Sequence, residues 1–174
     1  MQVAGNDLSR DAAFVREFPT IRNMNVHTGV RERHEQCCIE LWLSALQERD
    51  GEVDENRVRD RARAKFGRPI IRFAVLGPEP TGFALTVEAS ERVAVLELLA
   101  VSPHTVGRGW GTALLVDAVT STQLAGYRKI ELQVRAGNSR AIDLYRSIGF
   151  ERTGRVDKHP LGGDAMVTFA RALP

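Results

Sequence analysis

The stretch that most restricts the fold begins with an apolar, strand-like run, Val93–Val101. It passes through Pro103–Thr112, which carries Gly107, Gly109 and Gly111, into a segment with apolar residues at helical spacing, Leu114, Leu115, Ala118, Val119 and Ala125. Gly126 marks the stop of that helix, and Lys129–Val134 reads as another strand. Strand, helix, strand in succession predicts a parallel crossover. The glycines at the strand-to-helix junction have a chemical reading as well. Without a Cβ, Gly107, Gly109 and Gly111 let backbone N–H groups approach an anion, and the helix that follows presents its positive end to the same place.

The rest of the chain is read around this unit. Val26–Val30 forms a short first strand, and from Arg31 the residues Cys38, Trp42 and Leu46 recur every fourth position up to Asp50-Gly51, a first helix. Asp54 is placed to cap a second helix, with Val58, Ala62 and Phe66 at i, i+4 and Gly67 and Pro69 closing it. Its other faces carry Arg57, Arg59, Arg61, Arg63 and Lys65, either a solvated surface or a greeting for an anionic partner. Ile70–Leu76, the turn Gly77–Gly82 and Phe83–Val87 predict an antiparallel hairpin that continues into Val93–Val101. Asn138 is a candidate cap for a short helix carrying Ile142, Tyr145 and Ile148, ended by Gly149. Glu151–Val156 and Ala165–Ala170 supply two closing strands.

The expected architecture is therefore α+β, a single domain with a mixed, mostly antiparallel sheet flanked by helices. Residues 1–24 show no sustained period and read as an N-terminal extension, leaving 25–174 as the domain. With 24 basic and 22 acidic residues the net charge is only +2, which gives no global footprint for nucleic acid or an anionic membrane. No apolar run is long enough to span a bilayer, and Asn6, Asp7, Arg10 and Asp11 interrupt any signal-peptide core, so a cytoplasmic chain is expected. The two cysteines, Cys37 and Cys38, are adjacent, a poor disulfide pair, and read as partly buried thiols. His27, His34, His104 and His159 lack metal-ligand spacing, so no metal is expected.

Three nucleotide and acyl motifs fail on spacing. A Rossmann turn needs a third glycine where Thr112 stands, a Walker loop needs Gly-Lys-Ser/Thr, and Gly137-Asn138-Ser139-Arg140-Ala141 lacks the last glycine of a nucleophile elbow. The stretches that remain are Leu99-Ala100-Val101-Ser102-Pro103, the Gly107-Arg108-Gly109-Trp110-Gly111 loop, and Asn138-Ser139-Arg140-Ala141-Ile142-Asp143-Leu144-Tyr145 with Ile148-Gly149-Phe150. Together they resemble the GCN5-related N-acetyltransferase (GNAT) superfamily, most strongly from Val93 to Phe150. Leu132–Asn138 is locally most similar to ribosomal-protein N-terminal alanine acetyltransferases.

The resemblance implies acetyl-coenzyme A as donor, with its pyrophosphate on the backbone of Val106, Gly107, Arg108, Gly109, Trp110, Gly111 and Thr112. Val106 departs from the Gln or Arg usual in the family. The resemblance also implies a parallel strand pair splayed apart at the cofactor cleft. The pantetheine arm would then pair with the backbone of Leu99, Ala100 and Val101 and be held by Asn138. Asn138 serves equally as a helix cap. Tyr145, two helical turns further on, would protonate the leaving thiolate, or is a packing aromatic.

Glu97, a carboxylate within Val95–Leu99, is the candidate base that takes the amine's proton, or else forms an ion pair. Alternation sets it on the same face as Val95 and Leu99 unless a bulge intervenes. Gln133 stands where the alanine acetyltransferases have a glutamate base. The implied reaction is direct transfer to a primary amine of a small molecule in a ternary complex. A protein N-terminus or lysine is the alternative acceptor, and a non-catalytic acyl-coenzyme A sensor the alternative class. A homodimer is compatible with the resemblance.

Overall fold

The computed structural model describes residues 25–105, 107–158 and 165–174. The expected extension 1–24 and Val106 lie outside the described residues. The elements follow the order read from sequence: β1 (Val26–Thr28), α1 (Arg31–Asp50), α2 (Glu55–Phe66), β2 (Ile70–Leu76), β3 (Gly82–Ser90) and β4 (Val93–Val101). After a short 3-10 turn at Pro103–Thr105 come α3 (Trp110–Leu124), β5 (Lys129–Arg135), α4 (Ser139–Ser147), β6 (Glu151–Asp157) and β7 (Met166–Ala172).

The strands form one seven-stranded sheet in the order β1-β2-β3-β4-β5-β7-β6. Every neighbouring pair is antiparallel except β4 and β5, joined in parallel through α3 as a crossover requires. Helices cover both faces. On one side α3 and α4 bury Leu114, Leu115, Val119 and Tyr145 against Ala74, Leu76, Ala84, Ile130 and Leu132. On the other, Cys38 and Ile39 of α1 and Ala62 and Phe66 of α2 pack on Phe73, Val75, Phe83 and Leu85. Strand period two divides β2 and β3 between these layers, since Phe73 and Val75 face α1–α2 while Ala74 and Leu76 face α3.

Several boundaries differ for local reasons. β1 stops at Thr28 because Val30 starts a helix, its N–H donating to Nδ1 of buried His34 at 2.9 Å. α3 begins at Trp110, two residues before the expected Thr112, because Gly109 at φ 78° serves as its N-cap. In α1 the expected stripe is rotated: Cys38, Ile39, Leu43 and Leu46 are buried, whereas Trp42 is only half-buried. Cys38 is buried and Cys37 exposed, both as free thiols. Burial pushes the Cys38 thiol far up, so it stays protonated. Asp54 does cap α2, accepting from the Arg57 N–H at 3.1 Å. Among the described residues no helix is long and apolar enough to cross a membrane, and no cluster of metal-ligating side chains occurs.

Candidate functional site

The site starts with a break in the alternation of β4. Leu98 is opposite Leu85 in β3, but the next partner, Thr86, is opposite Leu96, so Glu97 is an extra residue at a β-bulge. The bulge moves the following residues to the other face. Ala94 and Leu96 belong to the α3 layer, yet Leu98 and Ala100 belong to the α1–α2 layer, and Leu99 and Val101 pack toward α3. Glu97 therefore does not share a face with Leu99, as simple alternation predicted.

At the same point the parallel ladder ends. β4 and β5 pair only from Val93–Leu96 to Lys129–Leu132, and beyond these residues the two strands diverge. The backbone of Leu98–Val101 keeps its bonds to β3 on one side and has no ladder on the other. A cavity of about 1070 Å³ opens there. Leu99, Ala100 and Val101 form one wall; Gly107, Gly109, Trp110, Gly111 and Thr112 form the end next to α3; and Asn138 and Tyr145 contribute from α4.

The glycine loop is shaped by two left-handed residues, Gly107 at φ 90° and Gly109 at φ 78°. Gly109 turns the chain so that α3 starts with its first N–H groups at the cavity, a favourable place for an anion. A Cβ on Gly111 would come within 3.3 Å of Leu144, so this glycine lets α3 and α4 approach closely. The Nε1–H of Trp110 is buried without a hydrogen-bond partner among the described residues. Asn138 caps α4, its side chain accepting from the Ala141 N–H at 3.2 Å, and also lines the cavity. Cap and cavity contact are thus compatible at one residue.

Tyr145 is 8% exposed, with its ring 6.1 Å from that of Phe150 and its hydroxyl without a partner among the described residues. Burial pushes the phenol up to about 12, against a smaller opposing effect of the Arg49 charge. It is held as a neutral hydrogen-bond donor throughout the neutral range.

Two candidates are not brought into the cavity wall. Arg108 does not line it, and Glu97 points to the α2 layer, where its carboxylate bonds Lys65 and Arg68. Gln133 does line the cavity, with its Nε2 donating to Asp157 at 2.7 Å. The larger surprise is the opposite end, walled by the α1–α2 corner. Trp42 and Arg49 of α1 and Arg57, Arg61 and Lys65 of α2 reach the cavity. The signal was present, because Arg57, Arg61 and Lys65 recur at i, i+4, i+8 on one helical face. What turned that face to a cavity was the splay of strands from elsewhere in the chain.

Comparison with known proteins agrees with this geometry. The family model described as Acetyltransferase (GNAT) family matches residues 30–150. The [Ribosomal protein bS18]-alanine N-acetyltransferase of Escherichia coli K12 is 36% identical over 93 residues, 53% of this chain and 62% of the relative. The chain thus spans less than two thirds of the length of the curated relatives it matches first. Among solved structures, the ribosomal-protein-S18-alanine N-acetyltransferase from Escherichia coli aligns with TM-score 0.67 at 21% identity, covering 86% of this chain and 93% of that one. An N-acetyltransferase from Thermoplasma acidophilum in complex with coenzyme A aligns with TM-score 0.64 at 18% identity, covering 84% and 98%. Those two likenesses are of fold. The match of the family model over most of the sequence shows that the chain belongs to the GNAT acetyltransferase family.

Proposed function

We propose that the protein transfers an acetyl group from acetyl-coenzyme A to a primary amine in a ternary complex. The observation that carries this reading is the unpaired β4 edge beside Tyr145, continuous with the glycine loop at the start of α3. The residues present suit the donor. Unladdered backbone of Leu99–Val101 can pair with an extended amide-bearing arm, and first-turn N–H groups of α3 can take a pyrophosphate. The donor supplies an activated thioester; the protein supplies placement and proton management.

Backbone N–H groups on the splayed edge bond the carbonyl oxygen as charge develops on it. The amine nitrogen bonds to the carbonyl carbon, the carbon–sulfur bond breaks, and the Tyr145 phenol gives its proton to the sulfur. The ammonium loses one proton to a base before attack, and the second, lost from nitrogen as the amide forms, returns through water to the Tyr145 phenolate. Glu97 takes the role of base through water or after releasing Lys65, because its carboxylate is held by Lys65 and Arg68 away from the cavity wall.

A small amine is the acceptor this reading favours, since residues of the α1–α2 corner wall the far end of the cavity. The similarity to the bS18-alanine N-acetyltransferase supports a protein N-terminus as the second reading. Thiol release is the test, measured with amino acids, polyamines and short peptides with free N-termini. Turnover with any of them is expected. Coenzyme A binding without thiol release from any amine would instead make the protein an acyl-coenzyme A sensor. Glu97→Gln is expected to lower kcat at saturating substrates; an unchanged kcat excludes Glu97 as base.

A further inference from the structure

The cavity's α1–α2 end has a charge arrangement that the transfer chemistry does not use. Arg57, Arg61 and Lys65 all line it, spanning about 12 Å along one face of α2 at 1.5 Å per residue. The other two arginines of this helix lie outside the cavity and are matched: Arg59 bonds Glu40 and Glu55, and Arg63 bonds Asp60. Inside, Lys65 is matched by Glu97. Arg61 is different. It is half-buried, lines the cavity, and makes no hydrogen bond or ion pair with any described residue.

Four carboxylates are also present at this end, and two are committed. Asp50 bonds Arg49 and Arg135, and Asp54 caps α2. Glu48 and Glu52 remain, both exposed. A half-buried guanidinium facing a cavity without a counter-ion among the described residues is suited to a ligand carboxylate, which its planar donors bind in two parallel hydrogen bonds.

We propose that α2 selects the acceptor by its anionic group. Arg61, flanked by Arg57 and Lys65, receives a carboxylate one to two helical turns, about 5–11 Å, from the amine that is acetylated. Lys65 marks the reacting end, because it meets Glu97 two residues before Leu99; Arg57 marks the outer end at the α1–α2 corner. The acceptor class is an amine that also carries a carboxylate, either a free acidic amino acid or the N-terminus of a peptide with an acidic side chain near it. This rests on the acetyltransferase reading for what happens to the amine, but not for the binding.

Equilibrium binding to the coenzyme A-loaded protein tests it, with glutamate, spermidine and the C-terminally amidated peptides Ala-Glu-Ala and Ala-Lys-Ala as probes. Glutamate or Ala-Glu-Ala is expected to bind at least tenfold more tightly than the two cationic probes, and whichever binds better identifies the source of the carboxylate. Arg61→Gln should weaken that binding by about 10- to 100-fold, the effect of losing a charge-assisted pair. Arg61→Lys should recover part of it, and Arg63→Gln, which removes the same charge outside the cavity, should change nothing. In turnover, Arg61→Gln should raise KM with kcat at saturation preserved. Tighter binding of the cationic probes, binding of none of the four, or equal affinity in Arg61→Gln overturns the proposal. Carboxylate-dependent binding without thiol release would overturn acetyl transfer and leave this inference standing.

Discussion

Tyr145 combines a buried ring with a hydroxyl that no described residue bonds, at a cavity wall formed by unpaired backbone. Removing only the hydroxyl separates packing from chemistry. Tyr145→Phe is expected to lower kcat at least tenfold and leave coenzyme A affinity unchanged, general acid catalysis being worth about 10²–10⁴-fold. Pre-steady-state thiol release alongside calorimetry of coenzyme A binding checks both halves. The pH dependence follows from its burial. With the phenol raised to about 12, the folded protein keeps the proton while an unfolded chain loses it near 10, so this residue makes stability fall as pH rises above 10.

His34 acts at the opposite end of the pH range. Its ring is buried, and Nδ1 accepts from the Val30 N–H, which requires a neutral imidazole. Burial holds its pKa below 6.5, helped by the charges of Arg33 and His27. The unfolded chain therefore binds the proton first. Stability from this residue is full above pH 6.5 and declines as pH falls below it. Urea unfolding between pH 7.5 and 5 should show that decline, and His34→Leu, although less stable overall, should flatten it. A pH-independent midpoint in the parent protein would contradict this account.

At the scale of elements, the start of α3 depends on two glycines with positive φ. Gly109→Ala forces a Cβ into the left-handed region at about 1–2 kcal/mol and should weaken coenzyme A binding together with stability. Comparing its denaturation midpoint with its coenzyme A affinity is the check; loss of stability with unaltered affinity would mean that the turn shapes the fold but not the anion site. Most elements were legible because their signals are local. Asp54 and Asn138 are caps with the side-chain bonds that their positions predict, and Gly126 and Gly149 follow the ends of α3 and α4 with positive φ. The bulge at Glu97 was not legible, since an extra residue in β4 is defined only by its opposition to β3. The partners of Glu97 are equally nonlocal, lying 32 and 29 residues away in Lys65 and Arg68.

At the scale of the molecule, the α1–α2 corner is fastened to the sheet by Asp50, whose carboxylate meets Arg135 of β5 at 3.0 Å with both side chains largely buried, at 15% and 18% exposure. Both residues line the cavity, so the pair ties its α1–α2 wall to β5. Asp50→Asn should cost roughly 1–3 kcal/mol, the range for a buried charge left with a poorer partner. It should also raise KM for the amine while leaving coenzyme A affinity unchanged. Thermal denaturation and acceptor kinetics report the two effects, and a lowered Tm with unaltered KM would reduce the pair to a structural brace.

By itself the sequence determined the succession of elements, the parallel crossover and the glycine turn at the start of α3. Periodicity, caps and glycine spacing are properties of neighbouring residues, and Gly107–Thr112 with Asn138 and Tyr145 span less than a third of the chain. Tertiary structure alone decided that Glu97 turns to α2 rather than toward Leu99, that β4 and β5 part after Leu96 and Leu132, and that one face of α2 looks into a cavity instead of water. Each of those depends on which residue of a distant strand or helix comes opposite. That relation is set by cross-strand register and by the match of charges across layers, and no local pattern carries it.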